Sequence, residues 1–136
     1  MTTRIEQLRQ RYDQFRRGDI RGATQDWAED FVWQGAQSAE LPMGGQHCGK
    51  GAALQALARD IGVWDEFTMS AGEYFEAHNT VLVLGHSVAR KGDRSVTTTF
   101  VHIWRWRGDQ ISHFQLLTDT LQLAELLGLA AYGRAS

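Results

Sequence analysis

The stretch Ser95–Thr120, SVTTTFVHIWRWRGDQISHFQLLTDT, decides the fold. It reads as two long strands joined by a tight turn at Gly108-Asp109, because a Gly-Asp pair between runs of β-branched and aromatic residues is hairpin chemistry. Alternate residues of a strand share a face, which puts Thr98, Phe100, His102, Trp104 and Trp106 on one side. Large aromatic rings flanking one histidine suit the wall of a pocket better than a solvent surface. A concave sheet face of this kind encloses a small, flat, mostly apolar molecule.

The neighbouring strand sharpens the picture. If Gly92-Asp93 is a two-residue loop, Lys91 pairs with Arg94, and His102 faces Val83, Phe100 faces Gly85, and Thr98 faces Ser87. Opposed residues point to the same side, so Gly85 leaves room beside the Phe100 ring. The other side carries Leu82, Leu84, Val101 and Ile103, and a sheet apolar on both faces must bury both. Helices cover one face; a second copy of the chain covers the other, which predicts a homodimer through the outer sheet face. The same counting across Gly108-Asp109 sets Gln115 opposite His102, Leu117 opposite Phe100 and Asp119 opposite Thr98. Asp119 and His102 then line one concavity, separated by roughly 13 Å along the strand. A one-residue slip would flip this last strand.

Upstream, Thr3 and Glu6 have the capping-box spacing that opens a helix, with Ile5, Leu8, Tyr12 and Phe15 on its apolar face and Gly18 as its stop. Asp19 is placed as the N-cap of a second helix carrying Ile20, Ala23 and Trp27 inward. Asp30–Gly35 reads as a short strand, Ala36–Gly49 as a loop broken by Pro42-Met43-Gly44-Gly45, and Lys50–Ile61 as a third helix closed by Gly62. Strands follow over Glu66–Ala77, Thr80–Lys91, Ser95–Trp106 and Ile111–Leu117, and a short helix ends the series near Leu123–Gly128. The order is that of an α+β domain with helices against one sheet face.

Composition bounds the function. A chain of 136 residues is expected to form one domain, 1–136, and can bury a real core. A net charge of −2 with no Lys/Arg run gives no footprint for nucleic acid. A single cysteine, Cys48, and the lack of a long apolar run point to a soluble cytoplasmic protein with no membrane contact. The five histidines never fall at metal-binding spacings such as HxH or HExxH, and no glycine-rich loop joins a strand to a helix, so neither a metal nor a nucleotide cofactor is expected.

Five segments carry a resemblance: YDQFRRGD at Tyr12–Asp19, WAEDFVWQG at Trp27–Gly35, LPMGGQHCGKGAAL at Leu41–Leu54, VLVLGHS at Val81–Ser87, and FVHIWRWRGDQISHFQLLTDT at Phe100–Thr120. In this order they resemble the SnoaL-like, polyketide-cyclase-like branch of the nuclear-transport-factor-2-like superfamily, the fold shared with ketosteroid isomerase and scytalone dehydratase. The resemblance implies a cone-shaped α+β barrel, a strongly curved mixed sheet wrapped around three N-terminal helices. It places His102 about where ketosteroid isomerase has its oxyanion-stabilising acid. The isomerase's base would fall near Gln34 or Gly35, neither of which can act as one. Asp119 matches the late aspartate of the polyketide cyclases, and Leu117 stands where many relatives carry tyrosine.

The reading that follows is cofactor-independent proton transfer α to a carbonyl of an apolar or polycyclic substrate: cyclisation, isomerisation or dehydration. His102 and Asp119 are the candidate catalytic pair, the imidazole stabilising an enolate and the carboxylate removing the proton. Tyr12, Trp33, Phe100, Trp104 and Gln115 are the candidate substrate-binding residues. A non-catalytic module that captures a hydrophobic ligand, or a structural partner subunit of the same fold, is the alternative. Asp119 with Gln122 three residues on is also a helix-capping pair.

Overall fold

Thr3 accepts a hydrogen bond from the Glu6 backbone N–H at 3.1 Å and starts α1 (Arg4–Arg16) where the capping pattern places it. The fold comes from a computed structural model that describes residues 2–36, 41–42 and 44–129. Residues 37–40 and Met43, within the loop expected over Ala36–Gly49, lie outside the described residues. After α1 come α2 (Ile20–Ala23), β1 (Trp27–Gln34), β2 (Gln46–Cys48), α3 (Lys50–Val63), β3 (Glu66–Ala77), β4 (Thr80–Lys91), β5 (Arg94–Arg107), β6 (Gln110–Thr118) and α4 (Thr120–Leu126).

The strands form one mixed sheet in the order β2-β1-β6-β5-β4-β3. Only β1 and β6 run parallel; every other pair is antiparallel. This is the curved mixed sheet with helices that the α+β reading requires. Two local expectations are corrected. The second helix stops at Ala23, so Trp27 opens β1 rather than closing a helix, and it is buried there all the same. The third helix runs through Gly62 to Val63, where packing outweighs the modest helix cost of a glycine.

The β4–β5 register is the one the Gly92-Asp93 turn dictates, with Val83 opposite His102, Gly85 opposite Phe100 and Ser87 opposite Thr98. Gly92 has φ +65°, the left-handed conformation such a turn needs. Along β5 the inner residues Thr98, Phe100, His102, Trp104 and Trp106 are all buried. The Phe100 ring lies over Gly85, where a Cβ would stand 2.6 Å from Phe100 Cζ and run into the Ser70 carbonyl oxygen.

The β5–β6 register differs from the counted one, and the reason is a bulge. Arg107 pairs with Gln110 and Trp106 with Ile111, but Arg105 then pairs with His113, leaving Ser112 as the extra residue. The Ser112 hydroxyl donates to the Arg105 carbonyl at 3.2 Å. Beyond it Leu116, not Gln115, is opposite His102, and Thr118, not Leu117, is opposite Phe100. The slip turns Phe114 into the core and sends Gln115 and Leu117 outward, a gain in apolar burial that the unbulged strand would forgo.

The outer sheet face stays apolar. Leu82 (36%) and Leu117 (43%) are exposed beside half-buried Leu84, Val101 and Ile103. Among the described residues no helix is long and apolar enough to cross a membrane.

Replacing Gly85 by alanine drives a methyl group into Phe100 and the β3 backbone. Chemical denaturation of Gly85→Ala is expected to show a loss of about 1–3 kcal/mol, the usual range for overpacking. Unchanged stability would mean that the ring does not sit over this glycine.

Candidate functional site

A cavity of about 100 Å³ opens between α1, α3 and the inner sheet face. Its wall is rich in aromatic side chains, Tyr12, Trp33, Phe100, Trp104 and Phe114 among them. Its polar groups are few, and their wiring fixes what the site offers.

His102 projects from β5 into a cage of rings. It stacks on Phe100 at 3.9 Å between centroids, and meets Phe114 and Trp104 edge-on at 5.0 and 6.3 Å. Burial depresses its pKa to about 3, so the imidazole is neutral at physiological pH. The folded value lies below the unfolded one of about 6.5, so this group contributes stability above that pH and loses it as pH falls toward 3.

Tyr12, on the inward face of α1, puts its hydroxyl 2.6 Å from His102 Nδ1 and 2.9 Å from Trp104 Nε1. An indole N–H can only donate, so the tyrosine oxygen accepts from Trp104. The tyrosine proton then needs an acceptor, and His102 Nδ1 is the one within reach among the described residues. Burial raises the Tyr12 pKa well above its ordinary value and keeps that proton in place. The chain therefore runs Trp104 to Tyr12 to His102, which leaves the imidazole proton on Nε2. Packing seals the indole nitrogens of Trp27, Trp33 and Trp106 without a partner among the described residues. His102 lines the cavity, and among the described residues the hydrogen bond made by its ring is the one at Nδ1.

Asp119 is not in this site. It is exposed at the N-terminus of α4, where it accepts hydrogen bonds from Gln122 N at 3.3 Å and Gln122 Nε2 at 2.7 Å. Those bonds hold its carboxyl below the usual range, the opposite of what a general base near neutral pH needs. The capping alternative describes it. Gln115 is likewise corrected: the Ser112 bulge sets it opposite Ile103 on the outer face. His102, Tyr12, Trp33, Phe100 and Trp104 all line the cavity, whereas Trp106 does not and instead packs under the Arg4 guanidinium.

The residue that sequence reading missed is Asp60. It stands on the last turn of α3, between the inward-facing Leu57 and Ile61, and lines the same cavity as His102. Burial pushes its carboxyl up to about 6, against the opposing effect of the Trp64 indole N–H, which donates to Oδ1 at 3.3 Å. A carboxylate on the apolar stripe of a helix was the available signal. Its folded pKa exceeds the unfolded value of about 4, so the stability it contributes is full below that pH and is lost as pH rises through about 6. Arg11, the cation on the wall, is held by Asp26 at 2.5 Å. Among the described residues no three His, Cys, Asp or Glu stand close enough to hold a metal ion.

The family model for the SnoaL-like domain matches residues 8–114. The chain belongs to the SnoaL-like domain family. Solved structures of similar shape include an NTF2-like protein of unknown function from Burkholderia pseudomallei, 25% identical with a TM-score of 0.84, covering 93% of this chain and 98% of that one. An NTF2-like protein from Burkholderia thailandensis is 25% identical with a TM-score of 0.82 and the same coverage. TerC, co-crystallised with polyporic acid, is 24% identical with a TM-score of 0.81, covering 91% of this chain and 97% of that one. No curated protein matches the sequence. Within this SnoaL-like domain, the wiring around His102 is set by the chain's own Tyr12 and Trp104.

The tautomer is directly observable. Nitrogen-15 NMR of the imidazole is expected to find the proton on Nε2 in the native chain, and Tyr12→Phe is expected to release that preference and cost about 1–3 kcal/mol of stability. A native imidazole protonated on Nδ1 would refute the wiring.

Proposed function

We propose that this SnoaL-like domain is a cofactor-independent enzyme that moves a proton next to the carbonyl of a small apolar compound. One observation carries the reading: the hydrogen bond from Tyr12 to His102 Nδ1, which leaves this cavity-lining imidazole a neutral donor at Nε2. Such a donor matches a carbonyl oxygen in the ground state and binds it more strongly as negative charge develops there. Asp60, with its pKa near 6, supplies the base in place of Asp119.

The step balances simply. An Asp60 oxygen takes the proton from the carbon beside the carbonyl. The C–H electron pair becomes the new C=C bond, and the carbonyl π pair moves to oxygen. His102 Nε2–H holds the enolate oxygen without giving up its proton. Return of the proton from Asp60 to another carbon isomerises the compound; alternatively the enolate carbon attacks a second carbonyl, whose π pair moves to its oxygen and takes the proton from Asp60, which closes a ring and regenerates the first carbonyl. Trp33, Phe100 and Trp104 stack against the substrate and keep water from the enolate. That TerC was co-crystallised with polyporic acid is in keeping with a small-molecule pocket in this fold.

The test is deuterium uptake at the α carbons of acetophenone and cyclohex-3-enone in heavy water, followed by proton NMR. The native chain is expected to accelerate exchange, with the rate rising through about pH 6 as Asp60 ionises and then levelling. Asp60→Asn and His102→Phe are each expected to lose about 100-fold or more. Binding without exchange would favour a non-catalytic ligand-binding module instead.

We also propose a homodimer through the outer sheet face, on the strength of the exposed Leu82 and Leu117 and their half-buried neighbours Val101 and Ile103. Light scattering after gel filtration is expected to give twice the chain mass, halved by Leu82→Glu with Ile103→Glu. A native monomer would overturn this.

A further inference from the structure

The cavity's charge and size narrow the compound it takes. Among the described residues, Arg11 is the one cationic side chain on its wall, and Asp26 neutralises it at 2.5 Å. Asp60 has no such partner: no Lys, Arg or His among the described residues forms an ion pair with it, and its hydrogen bond comes from the uncharged Trp64 indole. His102 carries no charge to offset it, because Tyr12 already donates to Nδ1. The wall therefore presents one carboxylate without an ion-pair partner among the described residues, the neutral His102, the paired Arg11 and the hydroxyl residues Thr24, Ser87 and Thr118, within otherwise aromatic and aliphatic surface.

Size adds a second limit. The cavity measures about 100 Å³, whereas an apolar cavity of about 150 Å³ accommodates one benzene ring. A single ring fits after a small movement of the walls. Fused ring systems exceed the cavity further, and Leu8 of α1 and Leu57 of α3 on its wall belong to the packed core.

We infer that the pocket takes an uncharged, single-ring carbonyl compound, its oxygen on His102 Nε2–H, and that the unpaired Asp60 carboxylate turns away anions of the same shape. This rests on the placement of His102 and Asp60 given under the proposed function, and it adds the substrate class. A carboxylate ligand of equal size would bring a second negative charge into a wall that has no free cation to receive it. Two like charges within one cavity of low polarity repel by enough to cost about tenfold or more in affinity.

Acetophenone, benzoate and 2-acetonaphthone separate these terms, since the first two share a shape and differ in charge, and the third adds a ring. Calorimetric titration of the full chain in mildly alkaline buffer is expected to rank acetophenone first, with benzoate about tenfold weaker or worse. Asp60→Asn is expected to tighten benzoate by about tenfold while acetophenone changes by no more than about twofold, and Asp60→Glu is expected to keep the native preference. Benzoate binding that ignores Asp60→Asn, tighter binding of 2-acetonaphthone than of acetophenone, or no binding of any of the three would each overturn the inference. Selective acetophenone binding with no α-deuteration leaves it standing and defeats proton transfer alone, so the two failures are distinguishable.

Discussion

The pocket depends on the close approach of Phe100 to Gly85. A glycine in the middle of β4 lets an aromatic ring lie flat against the sheet, and that ring is the surface on which His102 stacks. Phe100 supports one face of the imidazole, whose Nδ1 meets the Tyr12 hydroxyl at 2.6 Å. The Gly92-Asp93 turn sets the strand register that brings Gly85 and Phe100 together. Local turn chemistry thus determines the position of the Phe100 side chain, seven residues beyond Asp93, because a strand alternates faces without slack.

Desolvation then acts on two groups in opposite senses. It holds His102 neutral, with a pKa of about 3, and it lifts Asp60 to about 6. One physical cause yields a donor that does not acquire charge and a carboxylate that is a serviceable base near neutral pH, the pattern by which environments divide acid and base roles. The arrangement is not the most stable available to the chain. An ionised Asp60 opposes folding above its pKa, and among the described residues the indoles of Trp27 and Trp33 are buried without partners.

Much of this was legible in the residues. The alternation from Thr98 to Trp106, the Gly92-Asp93 turn, the capping pair at Thr3 and Glu6, and the room that Gly85 leaves for Phe100 are all short-range consequences of strand and turn geometry, and each stands in the structure as read. The family resemblance, drawn from five ordered segments, agrees with the SnoaL-like match over residues 8–114. His102 and Tyr12 were both singled out as pocket residues, but nothing in their spacing joined them, since ninety positions separate them in the chain.

What escaped the sequence depended on contacts between distant elements. The Ser112 bulge is invisible to residue counting, yet it turns Phe114 inward, sends Gln115 to the outer face and puts Asp119 beyond the end of the strand, where it caps α4. Core packing chose that register, because burying Phe114 against Trp33 and Trp104 outweighs an unbroken ladder. Asp60 is ordinary in sequence and acquires its raised pKa only once α3 docks over the sheet and removes water from it. The sequence by itself determined the strands, their turns and the aromatic wall, since these follow from periodicity and backbone preference. Which carboxylate lines the cavity with the histidine was decided only by the tertiary structure, because burial, and with it pKa, belongs to the assembled fold and not to the residue.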